Sequence, residues 1–452
     1  MTARLGYEDG TIRVDADRDD DGRLPPLPGV EADPRSGVAR APAYRYAAIR
    51  HALSVAGVHV DDRVFDDDHG DLGVSTDYDL REYQADALTA WRDADDRGVL
   101  ELPTGAGKTV IAIRAIVELG VPTLVVVPTV DLLDQWEREL ATEFGVPIGR
   151  FGGGEQRREA VTVSTYDSAY LKAEAVGDHF ELVVFDEVHH LGGEGYRDIA
   201  RLLAAPARLG LTATFERPDG AHETIAELVG DRVYSLEVDD LAGEHLAPYD
   251  VRRIEVELTP AERERYEAKQ GTFVEYLRES GITFTSGEDY RKLVLRSGND
   301  PRAREALLAK SAAREIMMNA DRKLDRLADL LHRHREDRVI VFTAHTDLVY
   351  RISERFLIPA ITAETGAAER REVLERFRDG TYSRVVAANV LDEGVDVPDA
   401  NVAVVLSGSG SEREFTQRLG RVLRPKADGG RARLYELVSA ETAEERVAGR
   451  RR

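Results

Sequence analysis

Two blocks of strand-length apolar runs, separated by a long charged segment, constrain this chain more than any other feature. From Asp79 onward the runs GVLELP, TLVVVP, AVTVSTY, LVVFDE and RLGLTAT appear, with helical segments such as TVIAIRAIVELG and VDLLDQWERELATEF between several of them. Near-continuous apolar strands joined by crossovers imply a parallel sheet covered on both faces. From about Ala261 to Arg322 the residues are mainly charged and helical in character, with GITFTSGED as an interruption. Alternation then returns in RVIVFT, RVVAANV, NVAVVLS and RLYELV, with DLVYRISERFL, ERREVLERFRDG and REFTQRLGRVLR among them. The expected fold class is α/β, with two tandem parallel-sheet domains and a helical insertion near their junction. Ahead of them, TIRVDA and PAYRYAAIRHALSVAG predict a small α+β unit.

The 452 residues exceed what one hydrophobic core organises, so several domains are expected. The boundaries fall at 1–62, an acidic linker 63–78, a first α/β domain 79–246, a second 247–443 with its insertion at 261–322, and a tail 444–452. No apolar run nears the roughly 20 residues of a membrane span. The N-terminus lacks an apolar core followed by a cleavage site. Cysteine is absent, which excludes disulfides, zinc fingers and iron–sulfur clusters, and a cytoplasmic protein is expected. Acidic residues outnumber basic ones by 84 to 61, a net charge of −23, and only seven basic residues are lysines. Two explanations are weighed, the codon preference of a GC-rich genome and a carboxylate surface adapted to molar salt; the Asp-rich loops ADRDDDGR, VDDRVFDDDHGD and RDADDRG favour a halophilic protein, with the codon effect beside it. Bulk acidity disfavours nucleic-acid binding through the net field, so any such function must rest on local sites.

The segment ELPTGAGKT runs from an apolar strand into Gly105-Ala106-Gly107-Lys108-Thr109 and then a helix. Glycines there let backbone N–H groups converge on phosphate oxygens. Lys108 would reach the β and γ phosphates, and Thr109 would ligate Mg²⁺. The strict pattern begins with Gly, where Leu102 stands. In LVVFDEVHH, a buried strand ends in Asp186-Glu187, placing one carboxylate at the metal and a second where it can orient or deprotonate a water. His189 is expected to couple parts of the site rather than bind metal, because the ion is hard and its ligands are oxygens. Gln84 in LREYQ has the amide geometry to read an adenine edge. Thr212 and Thr214 in LTATF offer hydroxyls that relay the γ-phosphate state or simply cap a turn. Gln417, Arg421 and Arg424 in QRLGRVLRP share one helix face, and the arginines would act as fingers on the ATP.

Taken in order, LREYQ, LPTGAGKT, VVVPTVDLLDQW, VSTYD, FDEVHH, GLTATFER, VIVFTAH, NVLDEGVDVP and QRLGRVLRP resemble the successive motifs of a superfamily 2 helicase with a DEVH box. Within it the chain is most similar to the XPB family of DNA repair and transcription helicases, across Asp79 to about Val438. The resemblance implies two RecA-like domains, ATP with Mg²⁺ held by Thr109 and Asp186, and 3′ to 5′ action on DNA in nucleotide excision repair. It implies further nucleotide contacts at Arg81, Thr104, Gly394 and Asp396. The insertion corresponds to a thumb-like module that grips DNA, and the N-terminal unit to a damage-recognition domain. A repair nuclease as partner also follows from the family. One departure stands out: Arg217-Pro218-Asp219 replaces the family's Arg-Glu-Asp, which implies weak strand separation with translocation retained.

In molar salt the Debye length is about 3 Å and counterion release contributes little. DNA would then be held by short hydrogen bonds from Thr129, Gln135, Ser164, Thr165, Thr343 and Asn389, contacts that fix position without reading sequence. Three alternatives remain open: an RNA helicase, a restriction-type translocase subunit, and a recruiting factor with a weak ATPase.

Overall fold

The computed structural model describes residues 2–16, 24–32, 38–65, 72–103, 105–193, 195–216, 220–236, 249–282, 287–388, 400–406 and 432–444. The chain forms two compact units, Met1–Asp240 and Leu241–Arg452. The boundary expected at 246/247 therefore lies outside the described residues, and the N-terminal sheet shares a unit with the first helicase-like sheet.

The N-terminal sheet contains β1 (Thr2–Glu8), β2 (Thr11–Ala16), β3 (Glu31–Ala32), β4 (Ala39–Pro42) and β5 (His59–Arg63), in the order β3-β4-β2-β1-β5. Asp9 and Gly10, with φ of 48° and 75°, make the two-residue turn that matches right-handed strand twist. Helix α1 (Tyr46–Val55) sets Tyr46, Ile49 and Leu53 at helical spacing against Leu5, Ile12 and Val14 of the sheet. Tyr7 anchors this sheet to the rest of its unit: its hydroxyl donates to the carbonyls of Glu174 at 2.8 Å and Leu202 at 3.0 Å.

The larger sheet of this unit contains β6 (Arg97–Glu101), β7 (Thr123–Val127), β8 (Gly149–Gly152), β9 (Glu155–Arg157), β10 (Val161–Thr165), β11 (Leu182–Asp186), β12 (Ala207–Thr212) and β13 (Arg232–Ser235). Their order is β13-β6-β12-β11-β7-β10-β8-β9, and every pairing is parallel except the β8–β9 hairpin. Helix α2 (Glu82–Asp93) precedes β6, and α3 (Lys108–Leu119), α4 (Val130–Phe144), α5 (Tyr166–Lys172), α6 (Arg197–Leu202) and α7 (Ala221–Leu228) lie between the strands in sequence. Strands β7, β10, β11 and β12 are buried along their whole length, as their unbroken apolar character requires.

In the second unit, β14 (Tyr249–Val256), β15 (Val339–Thr343), β16 (Ala360–Ile361), β17 (Arg384–Ala388), β18 (Val402–Val405) and β19 (Ala432–Ser439) form a parallel sheet ordered β14-β19-β18-β15-β17-β16. Alternate residues supply two separate cores: Val341, Val386 and Val404 on one face, Phe342, Val385 and Val405 on the other. Both faces are thus covered. The charged insertion forms helices Pro260–Ser280, Gly287–Ser297 and Pro301–Met318. The first starts from a capping box, in which Thr259 and Glu262 satisfy each other's backbone N–H groups, with Pro260 in the first turn. Phe273, Tyr276, Leu293, Ala303 and Ala306 give this module its own small core.

Candidate functional site

The sheet order decides where the chemistry gathers. Strand β12 lies between β6, which leads into the glycine loop, and β11, which ends in Asp186. All three run parallel, so their C-terminal ends share one edge, the edge where open α/β sheets bind ligands.

At the end of β6 the loop is pinned from below. Gln84 is buried; its amide oxygen accepts from the Arg81 N–H at 2.9 Å and its amide nitrogen donates to the Ala106 carbonyl at 2.8 Å. Tyr83 donates to the same carbonyl at 3.0 Å, and Arg81 donates to the Tyr83 hydroxyl at 3.1 Å. The amide expected at an adenine edge is therefore held by backbone, tying α2 to the loop. One amide N–H and one oxygen lone pair are left over, so these bonds position the amide and leave it the capacity that an adenine edge needs. Gly107 is left-handed, with φ of 77°, and a Cβ there would lie 2.4 Å from the Gln84 amide nitrogen. Gly105 is exposed at the loop tip and Thr109 is half-buried in the first turn of α3. Lys108 donates to the carbonyls of Leu102 at 3.2 Å and Pro103 at 3.4 Å, so the residue replacing the pattern's first glycine contributes its backbone to the lysine's place.

At the end of β11, Asp186 and Glu187 are both buried. The Trp136 indole N–H donates to Asp186 Oδ2 at 2.9 Å, and the Glu187 N–H donates to Asp186 Oδ1 at 3.1 Å. Burial, then the adjacent Glu187 charge, push the Asp186 carboxyl up to about 6, against the pull of Trp136 and Lys108. Glu187 itself is left-handed, with φ 48° and ψ 54°, an uncommon state for a residue with a side chain. Its Oε2 is buried with no hydrogen bond among the described residues and lies 3.4 Å from His189 Nδ1. His189 Nδ1 also lies 3.3 Å from Thr212 Oγ1. The Thr212 hydroxyl donates to the Thr214 carbonyl at 2.9 Å and accepts from the Thr214 N–H at 3.2 Å. Glu187, His189, Thr212 and Thr214 thus form one chain of contacts across the ends of β11 and β12, as a coupling role requires.

The donor set fits a hard divalent cation: a threonine hydroxyl on the loop helix and a carboxylate on the next strand but one, with a lysine for phosphate nearby. Thr109 and Asp186 are the residues that would hold it.

The expected nucleic-acid contacts divide. Thr129 and Thr165 cap α4 and α5, their hydroxyls accepting from Leu132 N–H at 3.2 Å and Ser168 N–H at 3.3 Å. Gln135 is half-buried on α4. Ser164 and Thr343 are corrections: both side chains are buried, the Ser164 hydroxyl donating to the Thr165 carbonyl and Thr343 Oγ1 accepting from the His345 N–H. Neither presents its hydroxyl outward. Thr104, Arg217-Pro218-Asp219, Asn389, Gly394, Asp396, Gln417, Arg421 and Arg424 lie outside the described residues.

Three participants escape a reading of the sequence. Trp136 and Tyr166 reach the Asp186-Glu187 segment, Tyr166 donating to the Asp186 carbonyl at 3.1 Å. Glu101, at the end of β6, accepts from the Phe215 N–H at 2.8 Å and pairs with Arg232 at 2.6 Å, fixing the turn after LTAT. Trp136 and Tyr166 fall inside the motifs VVVPTVDLLDQW and VSTYD, and Glu101 directly precedes LPTGAGKT, but nothing in those strings shows what the three side chains reach.

Residues 5–64 match the Xeroderma pigmentosum group B helicase damage recognition domain, and residues 305–452 match the ERCC3/RAD25/XPB C-terminal helicase. Residues 77–217 match the res subunit of type III restriction enzymes. The DNA 3′-5′ translocase XPB2 of Sulfurisphaera tokodaii is 42% identical over 425 residues, covering 94% of this chain and 96% of that protein. The chain belongs to the XPB family of helicases. Another XPB-family relative, the putative DNA 3′-5′ helicase Rad25 of Halobacterium salinarum, is 35% identical over 416 residues, 89% of this chain but 61% of that longer protein. The solved helicase domain of Pyrococcus furiosus Hef aligns with a TM-score of 0.52 at 19% identity, over 82% of this chain and 98% of that one, a likeness of fold.

Proposed function

We propose that this XPB-family chain is an ATP-dependent 3′ to 5′ DNA translocase that works in nucleotide excision repair in the cytoplasm, with little base specificity and a repair nuclease as partner. The observation that carries the ATPase reading is the shared edge of β6, β12 and β11, which brings the Lys108 loop, Thr212 and Asp186-Glu187 to one side of a single sheet. Lys108 would hold phosphate oxygens of the nucleotide, exchanging its two backbone carbonyls for them. Thr109 and Asp186 would hold Mg²⁺, which supplies charge neutralisation at the phosphates when bound. Glu187 would take the proton of the attacking water: its Oε2 is buried, carries no hydrogen bond among the described residues and sits beside His189. His189 and Thr212 would pass the occupancy of that edge to the Thr214 turn. The polarity and the DNA substrate are taken from the names of the relatives, and the motor role from the family.

The test is ATP hydrolysis in high-potassium buffer with single-stranded DNA, duplex DNA and RNA. Stimulation by DNA is expected. Preference for RNA would overturn the DNA reading, and hydrolysis indifferent to all three would favour a recruiting factor.

A further inference from the structure

Helices α4 and α5 both begin at threonines expected to touch the DNA backbone, and each sends one buried aromatic donor to Asp186, that of α5 reaching on to Glu187. Trp136, on α4, is 1% exposed and donates its indole N–H to Asp186 Oδ2 at 2.9 Å. Tyr166, the residue after the Thr165 cap, is 2% exposed and donates its hydroxyl to the Asp186 carbonyl at 3.1 Å and toward the Glu187 carbonyl at 3.5 Å. The Tyr166 ring packs against His190 and Tyr196, with centroids 5.7 Å and 5.4 Å away.

The second residue that Tyr166 reaches is strained, and Trp136 holds the carboxylate of its neighbour. Glu187 holds its left-handed conformation through three backbone contacts: its N–H on Asp186 Oδ1 at 3.1 Å, the His190 N–H on its carbonyl at 3.0 Å, and Tyr166. A side chain in a sparsely populated backbone state changes direction when one of its restraints shifts.

We propose that Trp136 and Tyr166 are positioning residues that carry the state of the DNA-facing ends of α4 and α5 to Asp186 and Glu187, so that DNA contact sets the aim of the catalytic carboxylates. The inference rests on the DNA-stimulated ATPase reading. It goes beyond the Glu187–His189–Thr212 chain, which links the ends of β11 and β12 and does not reach either helix cap. A plain packing role for the two aromatics is the competing account, and it needs their rings but not their polar hydrogens.

Tyr166→Phe keeps the ring and removes only the hydroxyl, and Tyr196→Phe is the control, since its hydroxyl donates to Asp167 at 2.6 Å rather than to the Asp186-Glu187 backbone. Hydrolysis at saturating single-stranded DNA, KM for ATP, DNA affinity by fluorescence anisotropy and the unfolding midpoint are measured for each. The DNA-stimulated kcat of Y166F is expected to fall about tenfold, the worth of one hydrogen bond to a group that orients the transition state, with KM and DNA affinity within about twofold. Y196F is expected to match the wild type. If Y166F does not fold, W136F carries the same expectation, because it removes the donor to Asp186. Stimulation of either folded variant equal to wild type overturns the proposal, as does a fall in kcat matched by an equal loss of ATP or DNA binding. A wild type that DNA does not stimulate overturns the motor reading first and this inference with it.

Discussion

Arg208 and Thr212 stand near opposite ends of β12, and the two ends treat buried polar groups in opposite ways. The Arg208 side chain is 1% exposed and donates to four carbonyls: Ala205 at 3.1 Å, Ala200 and Leu228 at 2.8 Å, and Leu203 at 2.6 Å. Three of these carbonyls belong to the C-terminal turns of α6 and α7, whose last carbonyls have no partner within the helix and carry the negative end of its dipole. The cation is matched by backbone alone, although burial and the nearby Arg97 hold its pKa well below the usual arginine range. At the Thr212 end, two carboxylates are crowded together. Glu187 Oε2 and Thr214 Oγ1 are buried with no hydrogen bond among the described residues. One end of the strand is closed by complete satisfaction; the other keeps polar capacity for something that binds. Stability and function are thus separated along one strand of six residues.

The sharpest way to break this contrast is Arg208→Met. Four carbonyls lose the buried Arg208 donor, Leu228 keeping a second one from Arg97 at 3.1 Å, and a loss of about 3–5 kcal/mol is expected. Urea unfolding measures it; an unchanged midpoint would mean that the N-terminal end of β12 is no structural clamp. Next in size is Gly107→Ala, which forces a Cβ into a left-handed position against Gln84. We expect ATP affinity to weaken about tenfold while the unfolding midpoint moves by about 1 kcal/mol, as a strained glycine site predicts. Equal ATP affinity in the variant would remove the loop from the account.

A smaller effect tests the Thr212 end by pH. The Asp186 carboxyl is raised from 3.8 to about 6. The folded, nucleotide-free protein therefore holds that proton more tightly than the unfolded chain between these values. The stabilisation is complete below the lower value and is lost as pH rises through the upper one. Asp186→Asn should flatten the fall in unfolding midpoint over that window. A slope unchanged by D186N would assign the titration to another group. The smallest effect is expected for Tyr44→Phe, which removes a half-exposed hydrogen bond to Glu227 of 2.9 Å where the N-terminal sheet meets α7. A change below about 0.5 kcal/mol is expected by thermal unfolding.

Much of this architecture is legible in the chain. Unbroken apolar runs specify both parallel sheets, and the loop and carboxylate motifs fall at strand ends because the strands end there. What the sequence hides is reach. Trp136 and Tyr166 have the helical spacing of ordinary core aromatics, and nothing in a linear pattern shows that their polar hydrogens meet Asp186. Gln84 shows the same thing: no linear pattern reveals that its amide also holds the Arg81 N–H and the Ala106 carbonyl. Ser164 and Thr343 are misread because, on a strand buried on both faces, alternation no longer separates an inward from an outward side chain. The segment carrying Gln417, Arg421 and Arg424 and the motif carrying Asn389, Gly394 and Asp396 lie outside the described residues, so their roles rest on resemblance.

The most direct measurement is hydrolysis by Glu187→Gln with saturating single-stranded DNA, taken together with ATP affinity and the unfolding midpoint. A loss of at least about a hundredfold in kcat, the usual worth of a general base, is expected, with ATP still bound and the fold intact. Hydrolysis within a few-fold of wild type, or a loss explained by failed ATP binding or unfolding, would contradict the assignment of this edge as the working end.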